Sequence, residues 1–361
     1  MVDLGSLGGG IAYANAVNAS GTVVGVANLN LLKYHAFVWS QGGGMTDLGT
    51  FGGPLSYASD INGAGQIVGY ATVRAGWPHA FVRTGSVMTD LGLLPGAQFS
   101  YATRINDAGQ VIGGTAFTNG RVSAFSWTAA DGMVDIGTLG GKLTIANDMN
   151  KTGQVVGSSV DANGNPRAYI WTGSTLTALG TLGGKTSSAS AISGTGQVVG
   201  AADTANGDRH AFVWSQGEGM VDLNSRIQSA PAGLILAGGL AISDHGEIVA
   251  TSNAGLILLG SNSTAPVVGP IAPSVRAKVG VAIDFKAAFT DVDSGDSHSA
   301  TWSWGDGGQP QAATIRESAG TGTATGTHAF NKPGIYPVSL KVIDTTGQVA
   351  QVSTEVDVAK K

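Results

Sequence analysis

The chain lacks cysteine and is poor in charge. With no cysteine among its 361 residues, it has no disulfide bond, no thiol nucleophile and no cysteine-ligated zinc site. Charged residues make up only 12% of the chain and the net charge is -5, so no basic surface points to nucleic acid. No apolar run approaches the ~20 residues of a membrane-spanning helix. These absences exclude thiol-based enzymes and make a nucleic-acid partner or a membrane span unexpected.

Glycine, in contrast, is abundant and recurs at a nearly fixed interval. The turn Asn62-Gly63-Ala64-Gly65, followed by Gln66-Ile67-Val68-Gly69, is one copy of a signature whose last turn glycine is Gly21, Gly65, Gly109, Gly153, Gly196 and Gly246. The steps between these glycines are 44, 44, 44, 43 and 50. A second landmark, Asp-Leu-Gly, begins at Asp3, Asp47 and Asp90, is Asp-Ile-Gly at Asp135, and drifts to Ala178 and Asp222 in the next two copies. Such a period predicts a repeat architecture; we number the repeats 1 to 6 by their turn glycines.

Each repeat has the pattern of four short strands. In repeat 2, residues 55–62, 66–72, 79–83 and 87–92 are rich in β-branched and aromatic side chains and are separated by turns. Four antiparallel strands in about 44 residues are typical of one blade of a β-propeller.

The ends of the array favour a closed ring. Repeat 6 lacks its own Asp-Leu-Gly strand, and the chain begins with that strand at residues 1–6. We therefore predict an all-β protein with a six-bladed β-propeller at residues 1–260, closed by the N-terminal strand, which leaves no free sheet edge. A β-solenoid or an open β-prism is the alternative.

The repeat signature ends at Gly260. Residues 261–273 have the composition of a linker, and residues 274–361 alternate aromatic or aliphatic side chains with polar ones, which predicts a small immunoglobulin-like β-sandwich.

The repeat region resembles the HAF-repeat family of bacterial extracellular proteins. The resemblance covers residues 1 to about 260 and rests on segments close to Asp-Leu-Gly-Thr-Leu-Gly-Gly, on segments close to Asn-x-x-Gly-Gln-Val-Val-Gly and on the His-Ala-Phe triplets that begin at His35, His79 and His210. It implies a secreted or surface location but no settled activity. Repeats 3 and 4 have Ser123-Ala124-Phe125 and Arg167-Ala168-Tyr169 instead, which argues against a catalytic triplet histidine and favours a packed or hydrogen-bonded one.

The C-terminal region resembles a PKD domain. The resemblance rests on Phe289-Thr290-Asp291, the run from Trp302 to Gly307 (WSWGDG) and His328-Ala329-Phe330. It implies an immunoglobulin-type sandwich that acts as a spacer or a carbohydrate-directed module beside secreted hydrolases and adhesins. We expect an extracellular or cell-surface protein, although no signal peptide precedes the first repeat.

Three tyrosines occupy one position of the first strand in successive repeats. Tyr13, Tyr57 and Tyr101 are replaced by Ile145, Ser188 and Gly238 in repeats 4 to 6. Function in a propeller is expected where repeats differ, and aromatic rings stack on sugars and other flat apolar ligands. We predict ligand binding by these tyrosines, with ordinary packing between blades as the alternative.

Three residues further along, charged side chains alternate. Asp60, Arg104 and Asp148 occupy equivalent positions, so they form either a structural chain of ion pairs or a polar site at the channel, in which Arg104 contacts a ligand. Six-bladed propellers include calcium-dependent lactonases, and Asn15, Asp60, Asn147 and Asp148 offer oxygen ligands for calcium. Asp60 and Asp148 are then candidate catalytic residues.

Other candidates are weaker in pattern. His245 interrupts the turn of repeat 6 and is either a general base or a solvated turn residue. The extra residues 224–235 are either a lid or a surface insertion. In the C-terminal region, Asp291, Asp293 and Asp296 place three carboxylates in six residues, which predicts a structural cation or a solvated acidic loop.

The sequence leaves three functions open. The first is a secreted protein that binds a glycan or small molecule at the channel mouth, with an accessory PKD module. The second is a calcium-dependent hydrolase of lactones or esters that uses the same channel, and the third is a structural spacer. No Gly-x-Ser-x-Gly, His-Glu-x-x-His or phosphate-loop motif is present. Catalysis therefore stays undecided, calcium is the cofactor that the hydrolase would use, and a monomer is the expected state.

Overall fold

The chain forms two all-β units, residues 1–259 and 260–361. A computed structural model describes residues 2–30, 32–227, 230–260, 264–273, 276–293, 296–345 and 347–360. No helix within these ranges is long and apolar enough to cross a membrane.

Repeats 1 to 5 are four-stranded antiparallel meanders. Repeat 1 contains β1 (Ala12–Val17), β2 (Val23–Asn30), β3 (Lys33–Ser40) and β4 (Gly44–Asp47). Repeat 2 contains β5 (Gly52–Ile61), β6 (Ile67–Val73), β7 (Pro78–Thr84) and β8 (Val87–Asp90). Repeat 3 contains β9 (Ala97–Ile105), β10 (Val111–Phe117), β11 (Val122–Thr128) and β12 (Gly132–Asp135). Repeat 4 contains β13 (Gly140–Met149), β14 (Val155–Asp161), β15 (Pro166–Trp171) and β16 (Leu176–Gly180). Repeat 5 contains β17 (Gly183–Ile192), β18 (Val198–Thr204), β19 (Arg209–Ser215) and β20 (Gly219–Asp222).

Repeat 6 has three strands, and the predicted closing strand is not formed. Its sheet contains β21 (Leu236–Ile242), β22 (Ile248–Ser252) and β23 (Gly255–Leu259). Residues 2–6 carry no strand, and Met1 lies outside the described residues. Instead, the Asp3 carboxylate accepts a hydrogen bond from Gly5 N at 3.0 Å, which makes a local turn. The all-β fold is confirmed, whereas closure into a six-bladed ring stays a prediction.

The core of the repeat unit lies between neighbouring repeats. Between repeats 1 and 2, for example, Val24 and Ala36 of one repeat pack against Ala58 and Ile61 of the next, and all four are buried. Clusters of the same composition join repeats 2 and 3, repeats 3 and 4, repeats 4 and 5, and repeats 5 and 6. Each repeat thus buries its apolar face only against its neighbours, as expected of a repeat protein.

The second unit is a two-sheet β-sandwich. One sheet contains β24 (Val267–Val268), β26 (Ala282–Thr290), β29 (Thr314–Ser318) and β30 (Thr321–Ala329). The other contains β25 (Ala277–Lys278), β27 (His298–Ser303), β28 (Gln311–Ala312), β31 (Gly334–Asp344) and β32 (Val349–Ala359). Phe285, Trp302 and Leu340 are fully buried in the single core between them.

The segment predicted as a linker falls partly within this sandwich. Residues 261–263 lie outside the described residues. In the remainder, Val267 and Val268 pair with Thr290 and Phe289, and Ile271 is buried in the core.

Candidate functional site

The histidines of the three repeat triplets bond to the aspartates at the position of the Asp-Leu-Gly landmark. In repeats 1, 2 and 5 the histidine Nδ1 lies 2.8, 2.8 and 2.6 Å from a carboxylate oxygen; the pairs are His35 with Asp47, His79 with Asp90 and His210 with Asp222. The pKa of Asp222 is lowered. Partial burial acts to raise this pKa, but the hydrogen bond from His210 and other hydrogen bonds outweigh the burial. The two most regular motifs are therefore partners within a repeat.

The exceptions among the triplets follow the same logic. In repeat 3, where serine replaces the histidine, Ser123 and Arg121 both bond to Asp135. In repeat 4, Ala178 replaces the aspartate, and Arg167 pairs instead with Asp161, with Nε and Oδ2 3.0 Å apart. Where the histidine is lost, the aspartate bonds to other side chains, and where the aspartate is lost, the arginine at the histidine position pairs with another aspartate. This compensation supports a structural role for the triplet histidine.

Asparagines of the turns connect one repeat to the next. The Nδ2 atom of the turn asparagine donates to the main-chain oxygen at the same position of the following repeat, at 3.1 to 3.3 Å; the donors are Asn18, Asn62, Asn106 and Asn150. Because these bonds repeat at the four steps from repeat 1 to repeat 5, they fix the ends of the first strands of these repeats relative to one another. The first strands then carry the candidate site residues in a regular row.

An apolar stripe runs along these first strands in repeats 1 to 4. It consists of Ile11, Tyr13, Leu55, Tyr57, Phe99, Tyr101, Leu143 and Ile145, at two equivalent positions per repeat. Tyr13 is 63% exposed, and the aliphatic members are 37% to 45% exposed. In repeat 5 the same positions hold Thr186 and Ser188, so the stripe is confined to one part of the array.

Aromatic rings of the stripe form two stacks, each completed by a ring outside the stripe, Trp77 in one and Tyr70 in the other. The rings of Trp77 and Phe99 are 6.2 Å apart and 7° from parallel, and those of Phe99 and Tyr101 are 6.4 Å apart. Tyr57 stacks on Tyr70 of the neighbouring strand at 5.5 Å and 6°. We call these five rings the aromatic slab; half of the Trp77 surface is exposed.

Sequence reasoning found Tyr57 and Tyr101 of the slab but missed Tyr70, Trp77 and Phe99. Tyr70 pairs directly across the ladder with Tyr57. At the equivalent site in repeat 3, Gly114 leaves space that the Tyr101 ring occupies, because a Cβ there would lie 2.4 Å from the Tyr101 hydroxyl. Aligning the second strands of the repeats would have shown the exchange of Tyr70 for Gly114.

A cavity of about 540 Å³ collects the charged residues at the ends of the same strands. Asp60, Arg104 and Asp148 line it, together with turn residues of repeats 1 to 4. Among the described residues no ion pair within 4 Å joins Arg104 to either aspartate, so the predicted chain of direct ion pairs is absent. Asp60 Oδ2 accepts from Ile105 N and Asp148 Oδ2 from Ile192 N, both at 3.0 Å. Each aspartate thus also connects its repeat to the next.

The environment of the cavity makes both carboxyl groups weaker acids. Burial raises the pKa of Asp60 and of Asp148, against the opposing effect of hydrogen bonds from main-chain N–H groups and of the Arg104 charge. The Asp60 charge raises the pKa of Asp148 further. Two carboxyl groups of raised pKa beside a cation in one cavity form a recognisable candidate for acid–base chemistry.

The remaining candidates of the repeat unit lie apart from this cavity. Asn15 and Asn147 donate their Nδ2 groups to Ala58 O and Ala189 O of the following repeats, and neither lines the cavity. His245 is exposed in its turn. A metal role for the two asparagines and a catalytic role for His245 stay predictions.

The insertion before repeat 6 is tied to the repeat unit at its ends. It contains a 3-10 turn at Leu223–Ser225, and Asn224 bonds to Leu236 through both its side-chain amide and its carbonyl oxygen. Residues 228 and 229 lie outside the described residues.

In the second unit, the structure brings together a different set of aspartates from the predicted one. Carboxylate oxygens of Asp291, Asp296 and Asp344 lie within 4.8 Å of one another. Asp293 instead accepts hydrogen bonds from the N and Oγ1 of Thr264, at 2.8 and 2.9 Å. Asp344, contributed from 48 positions further along the chain, could not be recognised from local spacing.

A buried histidine adjoins this acidic cluster. His298 Nε2 lies 3.0 Å from Asp291 and Nδ1 lies 2.7 Å from Glu317. Burial opposes the charged ring, but the two carboxylates outweigh it and raise the pKa of His298.

We predict that this histidine makes the stability of the second unit pH-dependent. Since the pKa is higher in the folded than in the unfolded chain, the contribution is fully present below the unfolded value of about 6.5 and is lost as pH rises through the folded pKa. The melting temperature of the unit should therefore fall as pH rises from near 6 into the alkaline range. In His298→Gln the melting temperature should be lower and this decline should flatten; an unchanged decline would contradict the prediction.

Comparison with known proteins identifies the second unit. The PKD domain family matches residues 263–358, so this part of the chain is a PKD domain, as its sequence predicts. A PKD domain of an M14-like peptidase from Thermoplasmatales archaeon SCGC AB-540-F20 is 21% identical and has a TM-score of 0.22; the match covers 27% of this chain and 99% of the other.

The comparisons leave the repeat unit less defined. An extracellular domain of a hybrid two-component system from B. thetaiotaomicron is 10% identical with a TM-score of 0.38, over 95% of this chain and 49% of the other. A gluconolactonase from Xanthomonas campestris is 9% identical with a TM-score of 0.36, and the match covers 69% of this chain and 86% of the other. This chain therefore spans about half the length of the first of these two structures. No curated protein matches the chain.

Proposed function

We propose that this chain is an extracellular binding protein that holds a glycan on the aromatic slab of its HAF-type repeat array, with the PKD domain as an accessory module. The observation that carries the proposal is the stack of half-exposed Trp77 with Phe99 and Tyr101, two members of a surface stripe that also contains exposed apolar side chains. Contiguous exposed apolar surface on a soluble protein commonly marks a binding site.

The chemistry of the slab fits a sugar ring. Aromatic faces carry a partial negative charge and attract the polarised C–H groups of a pyranose, while flat stacked rings offer a rigid platform at little entropic cost. The slab extends over two repeats, and the stripe continues into repeats 1 and 4. Such length suits an oligosaccharide better than a single sugar. The PKD domain adds support for an extracellular location.

A second candidate is hydrolysis in the cavity that contains Asp60 and Asp148. It is favoured by the raised pKa values of the two carboxyl groups, one able to act as an acid and one as a base. With calcium bound, Asp60 and Asp148 would instead serve as its ligands in their carboxylate form, and the metal would polarise the substrate carbonyl. Both oxygens of Asp60 already accept main-chain N–H groups, so water or substrate must complete the six to eight oxygens that calcium prefers.

A glycan array followed by calorimetry tests the first proposal. We expect binding of an oligosaccharide that weakens about tenfold in Trp77→Ala, which corresponds to the stacking energy of one aromatic face. Trp77→Ala/Phe99→Ala should weaken it about a hundredfold if the contributions add. Trp39→Ala makes the same change outside the slab and should leave affinity unaltered.

The same preparation separates the two candidates. Chromogenic esters, lactones and glycosides are assayed for turnover after chelator treatment, with and without added calcium. Calcium-dependent turnover that is lost in Asp60→Asn or Asp148→Asn but retained in Trp77→Ala would establish the second candidate. No binding to any glycan, or binding that Trp77→Ala/Phe99→Ala leaves intact, would overturn the first.

A further inference from the structure

The two ends of the repeat array leave apolar faces uncovered. At one end, β1 exposes Ala12, Ala14 and Val17, and Val17 is 63% exposed; we call this the entering face. At the other end, repeat 6 exposes the leaving face, which consists of Leu240, Leu256 and Leu258, at 46%, 70% and 70% exposure.

At the internal interfaces, the residues equivalent to Ala14 and Val17 in repeats 2 to 5 and to Leu256 in repeats 1 to 5 are buried. The residues equivalent to Ala14 and Val17 in repeat 2 are Ala58 and Ile61, which are 0% and 6% exposed. The residue equivalent to Leu256 is the alanine of the triplet, which is fully buried in each of repeats 1 to 5. The end faces are thus the two halves of an interface that the molecule already forms five times.

The centre of an internal interface is a contact between two small residues. Ala36 N donates to Ser56 Oγ of the next repeat at 2.9 Å, and Ser56 Oγ donates back to Gly49 O at 2.6 Å. Ala80 with Ser100 and Ala168 with Ser187 repeat this arrangement. A side chain larger than alanine on the leaving side would occupy the volume of that serine.

At the two ends, both members of this contact change in a compensating way. The entering face has Ala12 in place of the serine, and the leaving face has Leu256 in place of the alanine. The internal pair of serine and alanine thus corresponds, at the ends, to a pair of alanine and leucine. Leu240 likewise replaces the asparagine or serine that donates to the next repeat through Asn15, Ser59 and Asn147.

We propose that the leaving face binds the entering face of a second copy of this chain, head to tail. The internal interfaces show the geometry of the contact. Ala12 is smaller than the serine of the internal repeats, so it leaves room for Leu256, which is larger than the alanine of those repeats. Burial of three exposed leucines against Ala14 and Val17 supplies the apolar driving force. Such a contact joins two different faces, so each pair keeps one of each face free and adds further copies until a ring closes or an open chain forms. This replaces the monomer expected from the sequence.

Single cysteines test the arrangement cleanly because the chain has none of its own. The variants Ala12→Cys and Leu256→Cys carry different tags and are mixed and oxidised. A head-to-tail contact brings the two positions as close as Ala36 and Ser56 are internally, within reach of a disulfide bond. We expect a disulfide-linked pair that contains both tags. We also expect the sedimentation coefficient of the unmodified protein to increase with protein concentration.

Substitution of the leaving face supplies the control. Leu256→Asp/Leu258→Asp should shift the concentration of half-association upward at least about tenfold, because aspartate is costly to bury in an apolar contact. Both residues are exposed, so folding should be retained. Val87→Asp changes an exposed residue of repeat 2 and should have no effect.

Two results would overturn the proposal. A monomer at all concentrations without a mixed-tag product rules out the contact. In the double variant Ala12→Cys/Leu256→Cys, a disulfide formed only within one chain would show that the array closes on itself, as the ring prediction requires.

Discussion

Substitution of Gly69 by alanine should destabilise the repeat unit by about 3 kcal/mol, which lowers its melting temperature by about 6 to 12 °C. The reason is steric. A Cβ at Gly69 would lie 1.8 Å from Tyr57 O and 3.0 Å from Ala58 Cα, both main-chain atoms. The register of β5 shifts between Ala58 and Asp60, so β5 cannot move away without losing its ladder.

Repeat 6 shows what relieves this crowding. The equivalent residue there is Ala250, which is fully buried. The strand that pairs with it, β21, has Gly238 and Gly239 at the point of contact and a second register shift nearby. The β21 strand therefore places no side chain there, and its backbone can shift to accept the Cβ of Ala250. The glycine requirement is therefore a property of the paired strands and not of residue 69 alone.

Thermal unfolding followed by circular dichroism measures the effect. Gly217→Ala is the matched control, since a Cβ at Gly217 meets no atom within 4 Å and the change should alter stability by no more than about 0.5 kcal/mol. If the two variants melt at the same temperature, the close approach of β5 and β6 is not as the structure has it.

Replacement of Phe81 by alanine should cost about 3 to 5 kcal/mol, the usual loss for a buried aromatic ring. Phe81 is fully buried and belongs to the cluster that joins repeats 1 and 2. Its loss therefore removes apolar contact within one repeat and at the interface with another. Because stability in a repeat array depends on neighbouring contacts, we expect a broader transition as well as a lower melting temperature.

The histidine of the same triplet provides the contrast. His79 and Asp90 are partly exposed, and an ion pair or hydrogen bond of that kind contributes about 0.5 to 1 kcal/mol. His79→Gln should therefore melt close to the unsubstituted protein. Chemical denaturation of both variants compares the two losses directly; a larger loss for His79→Gln would show that the histidine has a role beyond its pairing with Asp90.

Prediction from the sequence was accurate where the pattern was local. The four predicted strands of repeat 2 lie within three residues of β5 to β8. The PKD domain was recognised from short motifs, because its buried tryptophan and phenylalanine positions alternate along single strands. In contrast, closeness in sequence groups Asp293 with Asp291 and Asp296, whereas the pairing of β31 with β27 places Asp344 opposite His298 and so beside Asp291 and Asp296.

The sequence alone determined the all-β class, the period of the array and the residues that each repeat must share. These follow from turn glycines, alternation along strands and residue spacing, which act over a few positions. Only the tertiary structure decided which shared residues meet: His79 with Asp90, Tyr57 with Tyr70, and Asp60 with Asp148 around one cavity. Those contacts depend on strand register and on packing between repeats, where a shift of one residue reverses the face of every side chain.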